Sequence, residues 1–269
     1  MSEVKIMLGT SFTELENGQT YYARVYTVNP EGYMQSEIGT QIGSAIPQDF
    51  PAEPSEYVLI GTYTSAQTWT APEDGWFKIE LFGASGSGGA AKYSQYDDYG
   101  TTVYEVTSGF GGGGGGYSLS EGVALNAGDI ISCSTETNGT MTLNVYSSVA
   151  DVASITMSCT RGGDGPTAST SSIGITYPHG ATGGAGGVAS GGTTSNINGG
   201  AGANRILKTQ KYTNDDLTAA SVSGGAAGHA DGNAGGNSGA CRHGSITAQP
   251  GSGKAAFFRV SRGNTNVVA

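Results

Sequence analysis

Charge is scarce in this 269-residue chain: Asp, Glu, Lys and Arg together make up 13%, about half the ~25% usual in globular domains. Basic residues are scarcer still. Twelve Lys and Arg against 22 Asp and Glu leave a formal net charge of −10. A nucleic-acid binder normally carries a basic face, and the few basic residues here are scattered, so nucleic acid and anionic membrane surfaces are poor partners. Long apolar runs are missing too. No stretch approaches the ~18 residues of a membrane span, and Met1–Phe12 has no apolar segment of signal-peptide length. The expectation is no membrane insertion and folding in a cytoplasm. Cysteine is limited to Cys133, Cys159 and Cys241. That odd, widely spaced set favours reduced thiols over a disulfide framework, with a Cys133–Cys159 bridge left open. No segment sustains a 3.6-residue apolar period, so almost no α-helix is expected.

Glycine is what the chain has instead. It supplies 47 residues, about 17% against an average near 7%. Disordered chains are typically rich in charge and poor in aromatics, whereas this one holds 14 Tyr and 9% aromatics. The glycines are therefore either wasted or serve a backbone geometry that only glycine tolerates.

Strand-like patterns flank the glycine. In the first 46 residues, Val4–Leu8 and Thr20–Val28 alternate with period two, and Asn29-Pro30-Glu31-Gly32 is a turn signal. Residues 47–56, with three Pro and three acids, read as a stiff linker. Beyond it, Tyr57–Tyr63, Trp76–Phe82, Asp129–Ser134, Thr140–Tyr146, Ser154–Thr160 and Ala255–Val260 read as strands. In Trp76–Phe82 the residues Phe77, Ile79 and Leu81 share one face, opposite Lys78 and Glu80. Short strands at this spacing predict an antiparallel β-sandwich.

Between them, residues 162–253 carry GGDG, GGAGG, NGGAGA, SGGAAG, GNAGGNSG and PGSG, with few large apolar residues. A shorter run, Gly109–Gly116, is read as an earlier loop. A flexible linker is one reading of the block. It contains Asn, His, Ile, Tyr and Val, however, and a strand follows it. A packed array of polyproline-II or polyglycine-II helices fits better, each with three residues per turn and ~3.1 Å rise. Backbone hydrogen bonds and weak Cα–H···O contacts would replace the hydrophobic core there. The strict collagen repeat is absent.

Two resemblances follow from particular residues. Leu15 to Gly32 (LENGQTYYARVYTVNPEG) resembles the last third of a fibronectin type III domain, with Tyr21 as the corner tyrosine. A full domain needs about 90–100 residues, so this is either a remnant or a segment that a neighbouring chain completes. YTSAQTWTAPEDG, WFKIELFGASGSGG, FGGGGGGYS, LNAGDIIS and GSGKAAFFRV, within residues 57–260, resemble the glycine-rich domain of phage tail proteins. They are also similar to the glycine-rich adhesin at the tip of some T-even phage long tail fibres, a family in which loops joining packed glycine helices bind host receptors.

That resemblance implies a non-enzymatic virion protein in three parts. Residues 1–46 form a partial fibronectin-like β segment, 47–56 a linker and 57–269 a glycine-rich β-sandwich. It would be a tail-fibre or tail-tip component that binds a host glycan or protein, or else a purely structural virion subunit. It would dock on other virion proteins through residues 1–56, and any homo-oligomer would be a trimer.

No cofactor or metal site is expected. Gly251-Ser252-Gly253-Lys254 fails as a phosphate loop, because Ala stands at 248 and 255 where that pattern needs Gly and Ser or Thr. Gly86-Ser87-Gly88-Gly89 follows a strand, but no βαβ unit surrounds it. His179, His229 and His243 are isolated, and the pairs Asp97-Asp98 and Asp215-Asp216 are not separated across a cleft as glycosidase acids are. The candidate contact residues are in two glycine-poor segments read as loops. Lys92–Tyr104 concentrates Tyr93, Tyr96, Asp97, Asp98, Tyr99 and Tyr104. Arg205–Leu217 adds Arg205, Lys208, Lys211 and Tyr212. Tyr gives large contact area at low entropic cost, and carboxylates beside aromatic rings suit sugar hydroxyls.

Overall fold

The computed structural model describes residues 21–25, 40–45, 53–64, 67–147, 153–171, 173–176, 181–211, 217–242 and 245–264. Contacts divide the chain into two units, Met1–Pro51 and Ala52–Ala269. The described residues form β-strands and no helix, as the patterning predicts. In the first unit β1 (Tyr21–Val25) and β2 (Thr40–Ala45) pair antiparallel, with a bulge between Ala23 and Arg24. The strand expected at Val4–Leu8, the Asn29–Gly32 turn and the corner contact expected of Tyr21 lie outside the described residues.

In the second unit the first strands are β3 (Tyr57–Tyr63), β4 (Thr68–Thr70), β5 (Gly75–Phe82), β6 (Lys92–Asp98), β7 (Thr101–Thr107) and β8 (Tyr117–Leu125). Next come β9 (Ile130–Thr135), β10 (Met141–Tyr146), β11 (Ala153–Cys159), β12 (Ser169–Ser171), β13 (Gly174–Thr176) and β14 (Ala189–Ser190). The last are β15 (Ser195–Ile197), β16 (Leu207–Lys211), β17 (Thr218–Ala219), β18 (Ala240–Arg242), β19 (Ser245–Ala248) and β20 (Phe257–Gly263).

Two five-stranded sheets, β15-β8-β5-β20-β3 and β14-β11-β10-β9-β4, form the base. Phe77, Ile79, Leu81, Phe258 and Val260 of one sheet and Ile131, Met141, Leu143, Val145 and Met157 of the other fill a single buried cluster. Trp69 meets Phe77 edge-on, with centroids 5.5 Å apart. This is the expected sandwich, and β5 buries the face its alternation assigns. Its other face is covered as well: Phe82 and Tyr117 are buried there, and the Tyr117 hydroxyl donates to the buried Glu80 Oε1 at 2.9 Å. Burial, reinforced by that carboxylate, pushes the Tyr117 phenol pKa upward. Cys133, Cys159 and Cys241 are all free and buried, so the Cys133–Cys159 bridge left open above is not formed.

Eight extended segments rise from this base: 83–90, 109–116, 160–167, 183–188, 198–203, 222–228, 232–239 and 250–255. They bond to one another through backbone groups at three-residue intervals. Segment 109–116 is the centre. Gly86 and Gly89 N–H donate to the carbonyls of Gly113 and Phe110, and Phe110 and Gly113 N–H donate to those of Pro166 and Gly163. Gly184 and Gly187 donate to Gly111 and Gly114, which donate in turn to Ala203 and Gly200. Gly225 and Gly228 donate to Gly112 and Gly115, which donate to Gly236 and Asn233. Three directions, each with a donor and an acceptor neighbour, surround the centre with six segments.

The ring closes on itself in the order 83–90, 160–167, 183–188, 198–203, 222–228, 232–239. Each segment bonds to the next, and 232–239 bonds back to 83–90 through Gly236 to Gly86 and Gly239 to Gly89. Segment 250–255 lies outside, bonded to 83–90 and 232–239. Two expectations change here. Gly109–Gly116 is not a loop but the most enclosed segment. The glycine block is also not self-contained, because it is built around 83–90 and 109–116, which lie outside residues 162–253.

The six-glycine run follows from this position. An interior segment has a neighbour on every side, so a Cβ at Gly111, Gly113 or Gly114 would overlap the carbonyls of Ser223, Ala185 and Ala226 respectively. The outer segments have one free side, and there Ala, Ser and Asn interrupt the glycine.

Candidate functional site

Each lattice segment has one end at the base and the other at a second group of sheets. Segment 83–90 joins β5 to β6, 109–116 joins β7 to β8, and 160–167 joins β11 to β12. The segments thus separate an apical group of strands from the base. It consists of the three-stranded sheet β16-β7-β6, the hairpin β12-β13 and the three-stranded sheet β17-β18-β19.

The two glycine-poor segments read as separate loops are thus strands of one sheet. Lys208 stands in register with Val106, which faces Tyr93, and Lys211 with Val103, which faces Tyr96. The alternation in Lys92–Asp98 and Thr101–Thr107 signals this hairpin, but glycine on both sides and the polar composition hid it. Tyr212, Asp215, Asp216, His179 and His243 lie outside the described residues.

Each face of the sheet is partly covered, and this sorts the tyrosines. Tyr93 and Tyr104 pack against a buried cluster of Ala91, Val106, Leu217, Ala219 and Cys241. The Cys241 thiol donates to Lys92 O at 3.1 Å. On the other face Tyr96 lies under the β12-β13 hairpin, where Gly174, at φ 112°, approaches its ring. Glu105 ties this face together: it accepts from the Tyr96 hydroxyl at 3.3 Å, the Ile175 N–H at 2.9 Å and the Thr209 hydroxyl at 3.4 Å. Burial raises the phenol pKa of both Tyr93 and Tyr96, with Glu105 adding to the rise at Tyr96, so both remain neutral donors. Arg205 sits over the Phe110 ring at 5.4 Å, capping the apical end of the central segment. These residues hold the apical sheet together.

Tyr99 is different. It and Gly100 form the two-residue turn of the β6-β7 hairpin, with φ of 53° and 79°, and the Gly100 N–H donates to Asp97 Oδ1 at 2.8 Å. Two positive φ angles are what a type I′ turn requires, and Asn, Asp or Gly normally fills the first position. Tyrosine there costs roughly 1–2 kcal/mol. Its side chain is fully exposed, at 103%, so burial within the chain does not offset that cost. Asp97, two residues before it, is exposed as well; Lys208 is exposed but stands opposite Val106, towards the other end of β7.

The glycine motifs that invite nucleotide readings are occupied by the lattice. Gly86, Gly88 and Gly89 N–H donate to Gly113, Gly251 and Phe110 carbonyls, and Ser87 N–H to Asp164 Oδ1 at 2.7 Å. Gly251 and Gly253 N–H donate to Asn237 O and Ser87 Oγ. These are the donors a phosphate would need. His229 stacks on Tyr117, with centroids 4.5 Å apart, in a turn at the base end. Among the described residues no group of three His, Cys, Asp or Glu could hold a metal ion, and no helix is long and apolar enough to cross a membrane. Comparison with protein-family models, with curated proteins and with solved structures finds no match for this chain.

Proposed function

We propose that this chain is a bacteriophage virion protein, a tail-fibre or tail-tip component that works by binding rather than catalysis. The eight extended segments act as packed polyglycine-II-type helices, a spacer that carries the apical sheets away from the base and presents their turns to a host surface. The three-residue recurrence of their hydrogen bonds supports this reading, since it is the period of a polyproline-II chain. The observation that carries the binding role is Tyr99, a fully exposed ring held in a left-handed turn at the apical tip. Strained residues of this kind cluster at functional sites, and Tyr suits recognition surfaces. The purified full chain should bind cells of the host and block phage adsorption, and Tyr99→Asn should weaken both. An unaltered adsorption rate with saturating wild-type chain would instead favour a purely structural virion role.

A further inference from the structure

Among the described residues the base sandwich ends on an unpaired edge. β3 is the last strand of its sheet, and among the described residues it pairs only with β20. Its sequence, YVLIGTY, contains no charged residue and no proline, the usual means by which edge strands avoid pairing with other chains. Three consecutive apolar residues are exposed on it: Val58 at 62%, Leu59 at 52% and Ile60 at 46%. The cause is local. Val260 pairs with Gly61 and Ser261 with Leu59, so Ile60 is the extra residue of a bulge and the alternation of faces breaks there. Bulges protect many edges, but this one leaves apolar rather than charged side chains outward.

We infer that β3 is a homodimer contact, formed by antiparallel pairing of β3 with β3 of a second copy about a two-fold axis at Leu59. The sequence is self-complementary in that register. Val58 falls opposite Ile60 of the second copy and Leu59 opposite Leu59, so the three exposed apolar residues cover their own equivalents through β-branched and aliphatic cross-strand pairs. Tyr57 falls opposite Gly61, over which Tyr63 of the same chain already lies. Two chains of net charge −10 repel each other in general, but here no like charges meet, because Glu56 falls opposite Thr62. The same patch serves both copies, as a two-fold interface requires. Two five-stranded sheets become one continuous sheet, and both apical ends stay free, since β3 belongs to the base. This inference does not depend on the host-binding reading, and it replaces the trimer expected from resemblance with a dimer.

The test is the mass of the full chain in solution, by sedimentation or light scattering over a micromolar concentration series. The wild-type chain should be a dimer. Val58→Lys/Ile60→Lys, at two exposed positions, should be monomeric and melt as the wild-type chain does when diluted to monomer, with the dimer dissociation constant raised about a hundredfold or more. Leu59→Cys reports the register. Cross-strand Cα atoms about 4.5–5.5 Å apart allow a disulfide, and the native thiols are buried, so mild oxidation should give a covalent dimer. A monomeric wild-type chain, a trimer, a dimer indifferent to the lysines, or an oxidised Leu59→Cys chain that stays uncrosslinked would each overturn the inference.

Discussion

Replacing Gly113 by Ala puts a methyl group at the centre of the glycine lattice. The new Cβ would overlap the carbonyl of Ala185, which is backbone and cannot rotate aside. Relief requires moving segment 109–116 or 183–188. Moving the first disturbs the bonds from Gly113 N–H to Gly163 O at 2.8 Å and from Gly86 N–H to Gly113 O at 2.9 Å, and moving the second those from Gly184 N–H to Gly111 O at 2.8 Å and from Gly163 N–H to Ala185 O at 2.7 Å. Overpacking costs typically about 1–3 kcal/mol, and each hydrogen bond lost contributes roughly 0.5–1.5 kcal/mol more. The expected loss is about 3–5 kcal/mol, or roughly 6–20 °C in Tm for a unit of this size. Gly200→Ala is the control. A Cβ there meets Ala226 N at 3.1 Å and Ala226 O at 3.5 Å, a contact that shifts of a few tenths of an ångström relieve. The unfolded-state benefit of alanine, about 0.4–1 kcal/mol, offsets part of the strain, and the net change should stay within about 1 kcal/mol. Paired thermal and denaturant melts of the two variants decide the matter. Equal stabilities would refute a lattice in which enclosure, rather than glycine content, sets the tolerance.

Other outcomes follow from single sites. Tyr99→Asn should leave the melting temperature unchanged or raise stability by up to about 1 kcal/mol, because Asn accepts the left-handed turn more readily, while host binding falls; a clear destabilisation would show that the ring is packed. Burial pushes the Cys133 and Cys159 thiols up to about 12 and also raises Cys241. The native chain should therefore resist thiol reagents at neutral pH. The thiols' contribution to stability, complete below about pH 9, should be lost as pH rises from about 9 towards 12, which an alkaline melting series would follow. Asp164 accepts from Ser87 N–H and pairs with Arg161, and its carboxyl lies below the usual range, with Arg161 as the main cause. Its contribution is present above its unfolded pKa and lost as pH falls through the folded one. Asp164→Asn should flatten that part of the acid melting profile, and an unchanged profile would contradict the assignment.

Much of the base was legible because ordinary period-two patterning governs it: Phe77, Ile79 and Leu81 point inward as the alternation in Trp76–Phe82 requires. β8 was missed because Tyr117–Leu125 follows directly on the glycine run and carries polar residues on a buried face, Ser118 and Ser120. That the glycine segments bond to one another through their backbones was legible, and their plan was not. Six uninterrupted glycines at 111–116 mark the position with a neighbour on every side, whereas GGAGG and SGGAAG mark positions with a free side. Reading run length as enclosure would have placed 109–116 at the centre. The apical sheet was obscured because its strands lie far apart in sequence and their partners are set by the order of lattice segments, not by local pattern. Tyr99 was named among the candidate contacts, but only the turn geometry separates it from Tyr93, Tyr96 and Tyr104, which pack within the sheet.

Residue-resolved amide exchange of the full chain tests the lattice most directly. Gly111–Gly115 N–H groups all donate to neighbouring carbonyls at 2.8–2.9 Å inside a closed ring of six segments. They should be among the slowest amides in the protein, comparable with β5 and β20 of the sandwich, and slower than Gly100 at the apical turn. Exchange across 111–115 at random-coil rates would contradict the account.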